Sequence, residues 1–223
     1  MTFSLIARCP TTRQFGMVIA SSSPAVAARC VHLCAGVGAV ASQNITDPGL
    51  GSALLSLLAQ GMSAPAALAQ ITAAAPHIGY RQVLVIDAAG QTALHSGAQT
   101  LGIWGQTSGT DCASGGNLLA NDTVPTAMVA AFTTATGHLA TRLIAALIAG
   151  LGAGGEAGPV HSSGLKIVDT LDWPLVDLRV DWSDTPIADL TQLWHRYHPQ
   201  MAAYVQRAID PSAAPSYGVP GDQ

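Results

Sequence analysis

The sequence opens with Met1-Thr2-Phe3-Ser4-Leu5-Ile6-Ala7, a strand-like run behind a small second residue. A small residue in second place favours removal of the initiator methionine, which would leave Thr2 with a free α-amine. A hydroxyl and an amine on the same residue can act as a nucleophile and its own base. The α-amine has an ordinary pKa of about 7.7–8.0, so a good fraction is unprotonated near neutrality. The alternative is that Thr2 is simply the second residue of an ordinary first strand.

Length and composition bound the domain organisation. The chain has 223 residues, which fits one large domain more simply than two small ones. We expect a single domain over residues 1–210 and a flexible proline-rich tail over residues 211–223. Only 10% of the residues are charged, against about 25% in an ordinary protein. Such a chain cannot cover its whole surface with charge, so we expect a homodimer or a higher homo-oligomer.

Charge and hydropathy also restrict the partners. The net charge is −4 and the basic residues are scattered singly, so we expect neither nucleic acid nor an anionic membrane as a partner. The most apolar run, residues 139–155, contains Arg142 and several glycines. It is shorter than the roughly 20 apolar residues that a membrane-spanning helix needs. No secretory signal is recognisable, and the sequence predicts a cytoplasmic protein.

The four cysteines, Cys9, Cys30, Cys34 and Cys112, fit buried reduced thiols better than a disulfide framework. Cys30 and Cys34 flank His32, which leaves a redox or metal protein as a minor alternative. A metal site would need further ligands, and none is close in the sequence. We therefore expect no metal and no cofactor.

Hydrophobic periodicity predicts the order of the secondary-structure elements. Strands are predicted over residues 3–8, 14–22, 37–44, 81–88, 91–98, 111–119, 161–168 and 176–182. Helices are predicted over residues 50–60, 64–75, 124–136, 138–149 and 187–209, the last broken at Pro199, with a short helix or irregular crossing over residues 25–33. Strands come in hairpins and helices in pairs. This order predicts an α+β fold, a four-layer αββα sandwich of two antiparallel sheets.

A glycine-rich segment, residues 150–155, matches the dinucleotide-binding pattern G-x-G-x-x-G. In a dinucleotide site a strand precedes this pattern and a helix follows it. Here a predicted helix precedes it and a predicted strand follows it, so we reject nucleotide binding. A glycine-rich loop can still line a substrate cleft.

The opening segment, residues 2–8, resembles the start of DUF1028, a bacterial family that is grouped with the N-terminal-nucleophile hydrolases. The resemblance continues in chain order through segments at residues 36–43, 81–83, 114–120, 154–155 and 177–181. It implies a four-layer sandwich, in agreement with the element order, and a nucleophile at Thr2. The sequence departs from the family at Gly158, Val160 and His161, where basic residues and a glutamine are usual, and at Cys9, where an acidic residue is common.

The enzyme hypothesis assigns the chemistry to Thr2. Its hydroxyl would attack an amide carbonyl while its amine accepts the proton and then delivers it to the leaving group. Water would hydrolyse the resulting acyl-enzyme. An oxyanion hole must stabilise the tetrahedral intermediate, and the candidate donors are Asn44 and Asn117, which stand at predicted strand ends.

Four further residues are predicted to contact the substrate. Ser21 and Gln43 stand at predicted strand ends, and His161 follows the glycine-rich loop. Arg81 could hold a substrate carboxylate with two parallel hydrogen bonds. The alternative for Arg81 is an ion pair between layers or between subunits.

Three hypotheses follow for the function. The first is an amidohydrolase acting on a small amide, a ureido compound or a short peptide. The second is a catalytically inactive small-molecule-binding or regulatory protein on the same fold. The third is the redox or metal protein on Cys30, His32 and Cys34.

Overall fold

The computed structural model describes residues 1–221 as two antiparallel sheets and flanking helices. The strands are β1 Thr2–Arg8, β2 Phe15–Ser21, β3 Val31–Cys34, β4 Gly38–Asn44, β5 Arg81–Asp87, β6 Thr92–Ser96, β7 Gly105–Gly109, β8 Cys112–Asn117, β9 Ser162–Val168 and β10 Val176–Val180. The helices are α1 Ala27–Cys30, α2 Pro48–Ala59, α3 Ala64–Ala74, α4 Val124–Thr134, α5 Leu139–Gly152, α6 Pro186–Tyr197 and α7 Met201–Ile209.

The two sheets have different sizes and orders. One has six strands in the order β10-β9-β2-β1-β8-β7, and the other has four in the order β3-β4-β5-β6. β1 therefore lies in the interior of the larger sheet, where it pairs with β2 on one side and β8 on the other. The first residues of the chain are thereby held by two neighbouring strands.

Alternation along β1 divides its side chains between two layers of core. Phe3 and Leu5 pack with α4, α5 and α6 on the outer side of the six-stranded sheet. Ile6 faces the opposite way and packs between the sheets against residues such as Leu84 and Ile86 of β5. A third core lies between the four-stranded sheet and the helices α2 and α3. These layers confirm the predicted α+β sandwich of two antiparallel sheets.

Local signals set several helix boundaries as the sequence predicts. The Ser63 hydroxyl accepts the backbone N–H of Ala66 at the start of α3. The C-terminal helical segment is interrupted at residues 198–200, around Pro199, between α6 and α7. Proline lacks the N–H that a helix interior requires, which explains the break.

The structure differs from the predicted elements in three places. Residues 31–34 form β3, where a helix or irregular crossing was expected, and β7 was not predicted. β7 reads Gly-Gln-Thr-Ser-Gly, carries no apolar alternation and forms one edge of the six-stranded sheet. The predicted glycine-rich loop begins later than expected, since α5 continues through Gly152.

The prediction that all four thiols are buried was wrong for two of them. Cys30 and Cys112 are buried, but Cys9 is half-buried and Cys34 is exposed at the end of the edge strand β3. Within residues 1–221 no group of three or more His, Cys, Asp or Glu side chains is arranged to hold a metal ion. In the same range, no helix combines the length and the apolar character needed to cross a bilayer.

The segment beyond α7 is in contact with that helix. The Arg207 guanidinium donates to the carbonyl oxygens of Pro215 and Ser216 and lies 3.7 Å from the centre of the Tyr217 ring. The mobility of the tail therefore stays a prediction, and its last two residues, 222 and 223, lie outside the described residues.

Candidate active site

Thr2 is the first residue of β1 and is 5% exposed. It is in register with Asn117, the last residue of β8. Because side chains alternate along a strand, Thr2 shares a face with Ser4 and Ile6, the face directed at the second sheet. The hydroxyl is thus placed at one end of the gap between the sheets.

The peptide bond before Thr2 is held by two hydroxyl groups. Ser21 Oγ donates to the carbonyl oxygen of Met1 at 2.5 Å, and Thr2 Oγ1 contacts the same oxygen. Ser21 is itself oriented, because its Oγ accepts the backbone N–H of Ser23 at 3.0 Å. The Met1 carbonyl therefore lies between a hydrogen-bond donor and the predicted nucleophile.

A chain of buried amides supports the site from within the interlayer core. Ser4 Oγ donates to Gln43 Oε1 at 2.7 Å, and Gln43 Nε2 donates to Gln82 Oε1 at 2.7 Å. Asn117 Nδ2 donates to the same Gln82 oxygen at 3.2 Å. All four side chains belong to residues that are 0% exposed. Gln43, predicted to bind substrate, thus has both ends of its amide engaged by the network.

Asn117 is the member of this network whose side-chain oxygen accepts no hydrogen bond. Its Oδ1 atom is buried and has no hydrogen-bond partner. A buried acceptor left unpaired costs about 1–3 kcal/mol, so proteins seldom keep one without a use. Cross-strand Cβ atoms lie about 5 Å apart, so the Asn117 side chain is next to that of Thr2 on the same face of the sheet. The geometry favours an acceptor role for Asn117 Oδ1, whereas the sequence predicted an oxyanion donor.

Asn44 and Arg81 form the last pair of β4 and β5 and bind backbone groups. Asn44 Nδ2 donates to the Tyr80 carbonyl at 2.6 Å, and its Oδ1 accepts the Leu101 N–H at 3.3 Å. Arg81 Nη1 donates to the Ile45 carbonyl, and its Nε is buried without a partner. Arg81 makes no ion pair within residues 1–221. The structure therefore uses both side chains to close a sheet end, and their predicted roles with substrate stay predictions.

His161 lies beside the Ser21 strand end. Its backbone N–H donates to the Ser21 carbonyl at 2.9 Å. Its ring stacks on Trp182 with centroids 4.4 Å apart, and Nδ1 lies 3.2 Å from the Ser183 carbonyl oxygen. Asp184 Oδ1 is 3.5 Å from the same nitrogen. Of the predicted substrate contacts, Ser21 binds the Met1 carbonyl directly, and His161 is the one whose backbone binds Ser21.

The sequence analysis missed Glu156, which is 4% exposed. Its two carboxylate oxygens accept the backbone N–H of Ser22 at 3.1 and 3.0 Å. Burial raises the pKa of Glu156 to about 7, although the positive amino terminus, the Ser22 hydrogen bonds and His161 act in the opposite direction. A buried carboxyl group next to the chain terminus is the kind of perturbed group that marks functional sites.

Two glycines turn the chain so that Glu156 lies next to Ser22. Gly154 and Gly155 have φ values of 122° and 58°, which L side chains rarely adopt. The chain then bridges Leu119 through Glu156, and the Ala157 N–H donates to the Leu118 carbonyl at 3.0 Å. The available signal was an acidic residue directly behind paired glycines.

The arrangement supplies a hydroxyl, a polarised carbonyl and a buried acid at the start of an interior strand. As long as Met1 is attached, the Thr2 nitrogen is an amide and cannot act as a base. Removal of Met1 would create the amine and empty the space beside Ser21 and Gly158. If Thr2 is the nucleophile, as the sequence predicts, its base becomes available only after Met1 has been removed.

The comparisons with known proteins agree with the fold. The family model described as "Family of unknown function (DUF1028)" matches residues 2–190. The crystal structure of a DUF1028 protein from Silicibacter pomeroyi is 30% identical, covers 88% of each chain and has a TM-score of 0.82.

More distant solved structures are Anbu (ancestral beta-subunit) from Yersinia bercovieri and an Anbu (Gly-1) mutant from Hyphomicrobium sp. strain MC1. Each is 12% identical and covers 91% of this chain and 97% of its own, with TM-scores of 0.42 and 0.44. These two likenesses are too distant to bear on function. No curated protein sequence matches the chain.

Proposed function

We propose that this chain, which belongs to the DUF1028 family, is an amidohydrolase with Thr2 as its N-terminal nucleophile. The family membership predicted from the sequence is confirmed; the catalytic role of Thr2 is the proposal. One observation supports the catalytic role of Thr2 most directly. The Thr2 hydroxyl lies against the carbonyl oxygen of the preceding acyl group, which Ser21 Oγ also binds at 2.5 Å. Ser21 Oγ is thus positioned to bind a substrate carbonyl oxygen beside Thr2 once Met1 is removed, and the Thr2 hydroxyl would then be free to attack the carbonyl carbon.

The reaction begins once Met1 has been removed. Thr2 Oγ1 attacks the substrate carbonyl carbon, and the Thr2 α-amine accepts the hydroxyl proton directly or through one water. The amine then gives the proton to the leaving nitrogen as the carbon–nitrogen bond breaks. A water molecule, deprotonated by the same amine, hydrolyses the Thr2 ester and restores the enzyme.

Two neighbouring side chains have roles in this scheme. Ser21 Oγ donates to the negatively charged oxygen of the tetrahedral intermediate, as it donates to the Met1 carbonyl oxygen. Asn117 Oδ1 accepts one N–H of the neutral Thr2 amine, which orients the lone pair of the nitrogen toward the hydroxyl. The amide network of Gln43 and Gln82 holds Asn117 in place.

The substrate is a small amide, a ureido compound or a short peptide, and the protein acts in the cytoplasm as a homodimer or higher homo-oligomer. Self-association is supported by an exposed apolar run before β7. Leu101, Ile103 and Trp104 are 41%, 50% and 43% exposed. Apolar side chains that are grouped in this way usually mark an interface.

The second candidate is a small-molecule-binding or regulatory protein without catalysis. It is favoured by the burial of the terminus, because Met1 is half-buried and its carbonyl is already hydrogen-bonded. A chain that keeps Met1 folds with its nucleophile blocked. The two functions therefore differ in whether Met1 is removed.

Intact mass followed by activity tests the proposal. We expect the protein from a cytoplasmic host to lack the mass of one methionine, and to hydrolyse members of a panel of small amides, ureides and short peptides. Quantitative retention of Met1 in active material would contradict the mechanism. Processed protein that binds a panel member without hydrolysing it would favour the second candidate.

A further inference from the structure

Met1 shows where the acyl part of a substrate can lie. Its carbonyl carbon is bonded to the Thr2 nitrogen, and its carbonyl oxygen contacts Thr2 Oγ1 and Ser21 Oγ. An acyl-enzyme would carry its acyl group on Thr2 Oγ1, a neighbouring atom of the same residue. The space around Met1 therefore approximates the space for the portion of substrate that carries the attacked carbonyl.

Two segments of chain enclose this space. On one side are Ser21 and Ser22, at and after the end of β2. On the other is the loop after α5, where a Cβ placed on Gly158 would lie 3.6 Å from Met1 Cε. The Met1 side chain thus lies along Gly158, and no side chain at that position competes with it for space.

The buried charged group next to this space is Glu156, because its carboxylate binds the N–H of Ser22, the residue after the Ser21 that binds the Met1 carbonyl oxygen. It interacts electrostatically with the amino group of Met1, which is attached to the carbon next to the Met1 carbonyl. Its contacts with Ser22 are neutral backbone hydrogen bonds, at 3.1 and 3.0 Å. None of the ion pairs among residues 1–221 involves Glu156.

We propose that Glu156 recognises a protonated amine on the carbon next to the scissile carbonyl. The substrate class is then aminoacyl amides and short peptides with a free amino terminus, from which the enzyme releases the first residue. This inference rests on the proposed function and narrows its substrate class.

Physical chemistry supports this assignment. A buried carboxylate is costly unless a positive charge accompanies it. Burial raises the pKa of Glu156 to about 7 although the amino terminus, the Ser22 hydrogen bonds and His161 lower it, so these neighbours compensate its charge incompletely. A substrate ammonium would supply the missing charge, whereas an acylated nitrogen would leave the carboxylate unpaired in a closed space. The geometry therefore discriminates between a free and a blocked amine.

A binding experiment tests this without requiring turnover. The probes are L-methioninamide and N-acetyl-L-methioninamide, because Met1 itself occupies the site. The protein is the full chain, processed at Met1 and carrying Thr2→Ala so that neither probe is consumed. We expect the free amine to bind at least about tenfold more tightly than its acetylated form, since truncating one partner of a buried charge pair commonly costs more than this factor.

Glu156→Gln in the same background should abolish that preference, and Glu156→Asp, which keeps the charge, should retain part of it. Asp172→Asn is the matched control, because it removes one exposed carboxylate after the far end of β9. Equal binding of the two probes, binding of neither, or an unchanged preference in folded Glu156→Gln would overturn the inference.

A failure of the proposed amidohydrolase function would give a different experimental result. Hydrolysis of L-methioninamide or of a short peptide at wild-type rate by Thr2→Ala would remove Thr2 as the nucleophile and leave the binding preference intact. Conversely, a wild-type enzyme that hydrolyses acetylated substrates as fast as free ones would keep Thr2 and refute the role of Glu156.

Discussion

Thr2 and Asn117 face each other across β1 and β8, and Asn117 Oδ1 is buried there without a partner. We expect Asn117→Ala to lower kcat by about tenfold or more, because the Thr2 amine loses the acceptor that orients it. The free energy of unfolding should fall by only about 1–2 kcal/mol, since the change removes one hydrogen bond but also one unpaired buried atom. Steady-state kinetics and urea denaturation measure the two effects. A kcat equal to wild type in folded Asn117→Ala would exclude this role.

Substitution at Thr2 separates a nucleophile from a structural residue. Thr2→Ser and Thr2→Ala both permit methionine removal. Serine keeps the oxygen and should retain measurable turnover, reduced because it lacks the methyl group that restricts χ1. Alanine lacks the oxygen and should lower kcat by about 10³-fold or more if the reaction is covalent.

The control for this pair is stability. Both variants should lose about 1–2 kcal/mol of unfolding free energy, because each removes one or two buried groups from a residue that is 5% exposed in an interior strand. Intact mass confirms equal processing of the three proteins. Comparable turnover by Thr2→Ala and wild type would exclude Thr2 as the nucleophile.

Glu156 makes stability depend on pH. Its pKa is raised in the fold from 4.5 to about 7, so between these values the native state binds more protons than the unfolded chain. Stability is therefore fully retained below the unfolded pKa and declines as pH rises through the folded pKa. The loss is at most about 4 kcal/mol, at about 1.4 kcal/mol per pKa unit.

Glu156→Gln removes this dependence. The free energy of unfolding of Glu156→Gln, minus that of wild type, should increase from pH 5 to pH 8. Urea denaturation at each pH measures this difference. Asp172→Asn should follow wild type throughout, since its carboxylate is exposed. A constant difference between Glu156→Gln and wild type would show that Glu156 is ionised over the whole range.

The interlayer amides should contribute strongly to stability. Gln82 donates to the Gly116 carbonyl at 3.1 Å and to Ser96 Oγ at 3.0 Å, and it accepts from Gln43 and Asn117. Gln82→Ala leaves several of these groups buried and unpaired, which should cost about 2–5 kcal/mol in urea denaturation. The same substitution at the exposed Gln70 on α3 should stay within about 0.5 kcal/mol. Similar losses at the two positions would refute the network's contribution.

Self-association is tested by light scattering at micromolar concentration. We expect a mass of at least two chains, because a chain with 10% charged residues cannot cover its surface with charge. Trp104→Glu should shift the equilibrium toward the monomer if the run before β7 is the interface. Thr133→Glu, on the exposed side of α4, is the control. A mass near 22.7 kDa for wild type would refute the prediction.

The fold was predictable where side chains alternate. β1 and β5 carry apolar residues on both faces, and their burial between layers follows from that pattern. β3 was missed because it has only four residues, and β7 because it carries no apolar alternation; pairing with β4 and β8 compensates for these weak patterns. Tertiary context, more than propensity, decides such strands.

The site was predictable in part for a related reason. Thr2 and Asn117 lie at the ends of predicted strands, so antiparallel pairing could bring them together. Glu156 reaches Ser22 only through the turn at Gly154 and Gly155, and the contact spans 134 residues. No periodic pattern in a sequence encodes a contact of that separation within an irregular loop.

The interior position of β1 limits the time during which Met1 can be removed. Its partner β8 lies more than a hundred residues further along the chain; Ser4 and Ser114, for example, are 110 residues apart. At about 5–20 residues per second, a ribosome needs roughly 6–25 s to complete β8 after β1 has been made. During that interval Met1 is at the end of an open strand, accessible to an aminopeptidase. Once β8 has paired with β1, Met1 is half-buried. The rate of synthesis therefore determines whether Met1 is removed and the Thr2 amine becomes free.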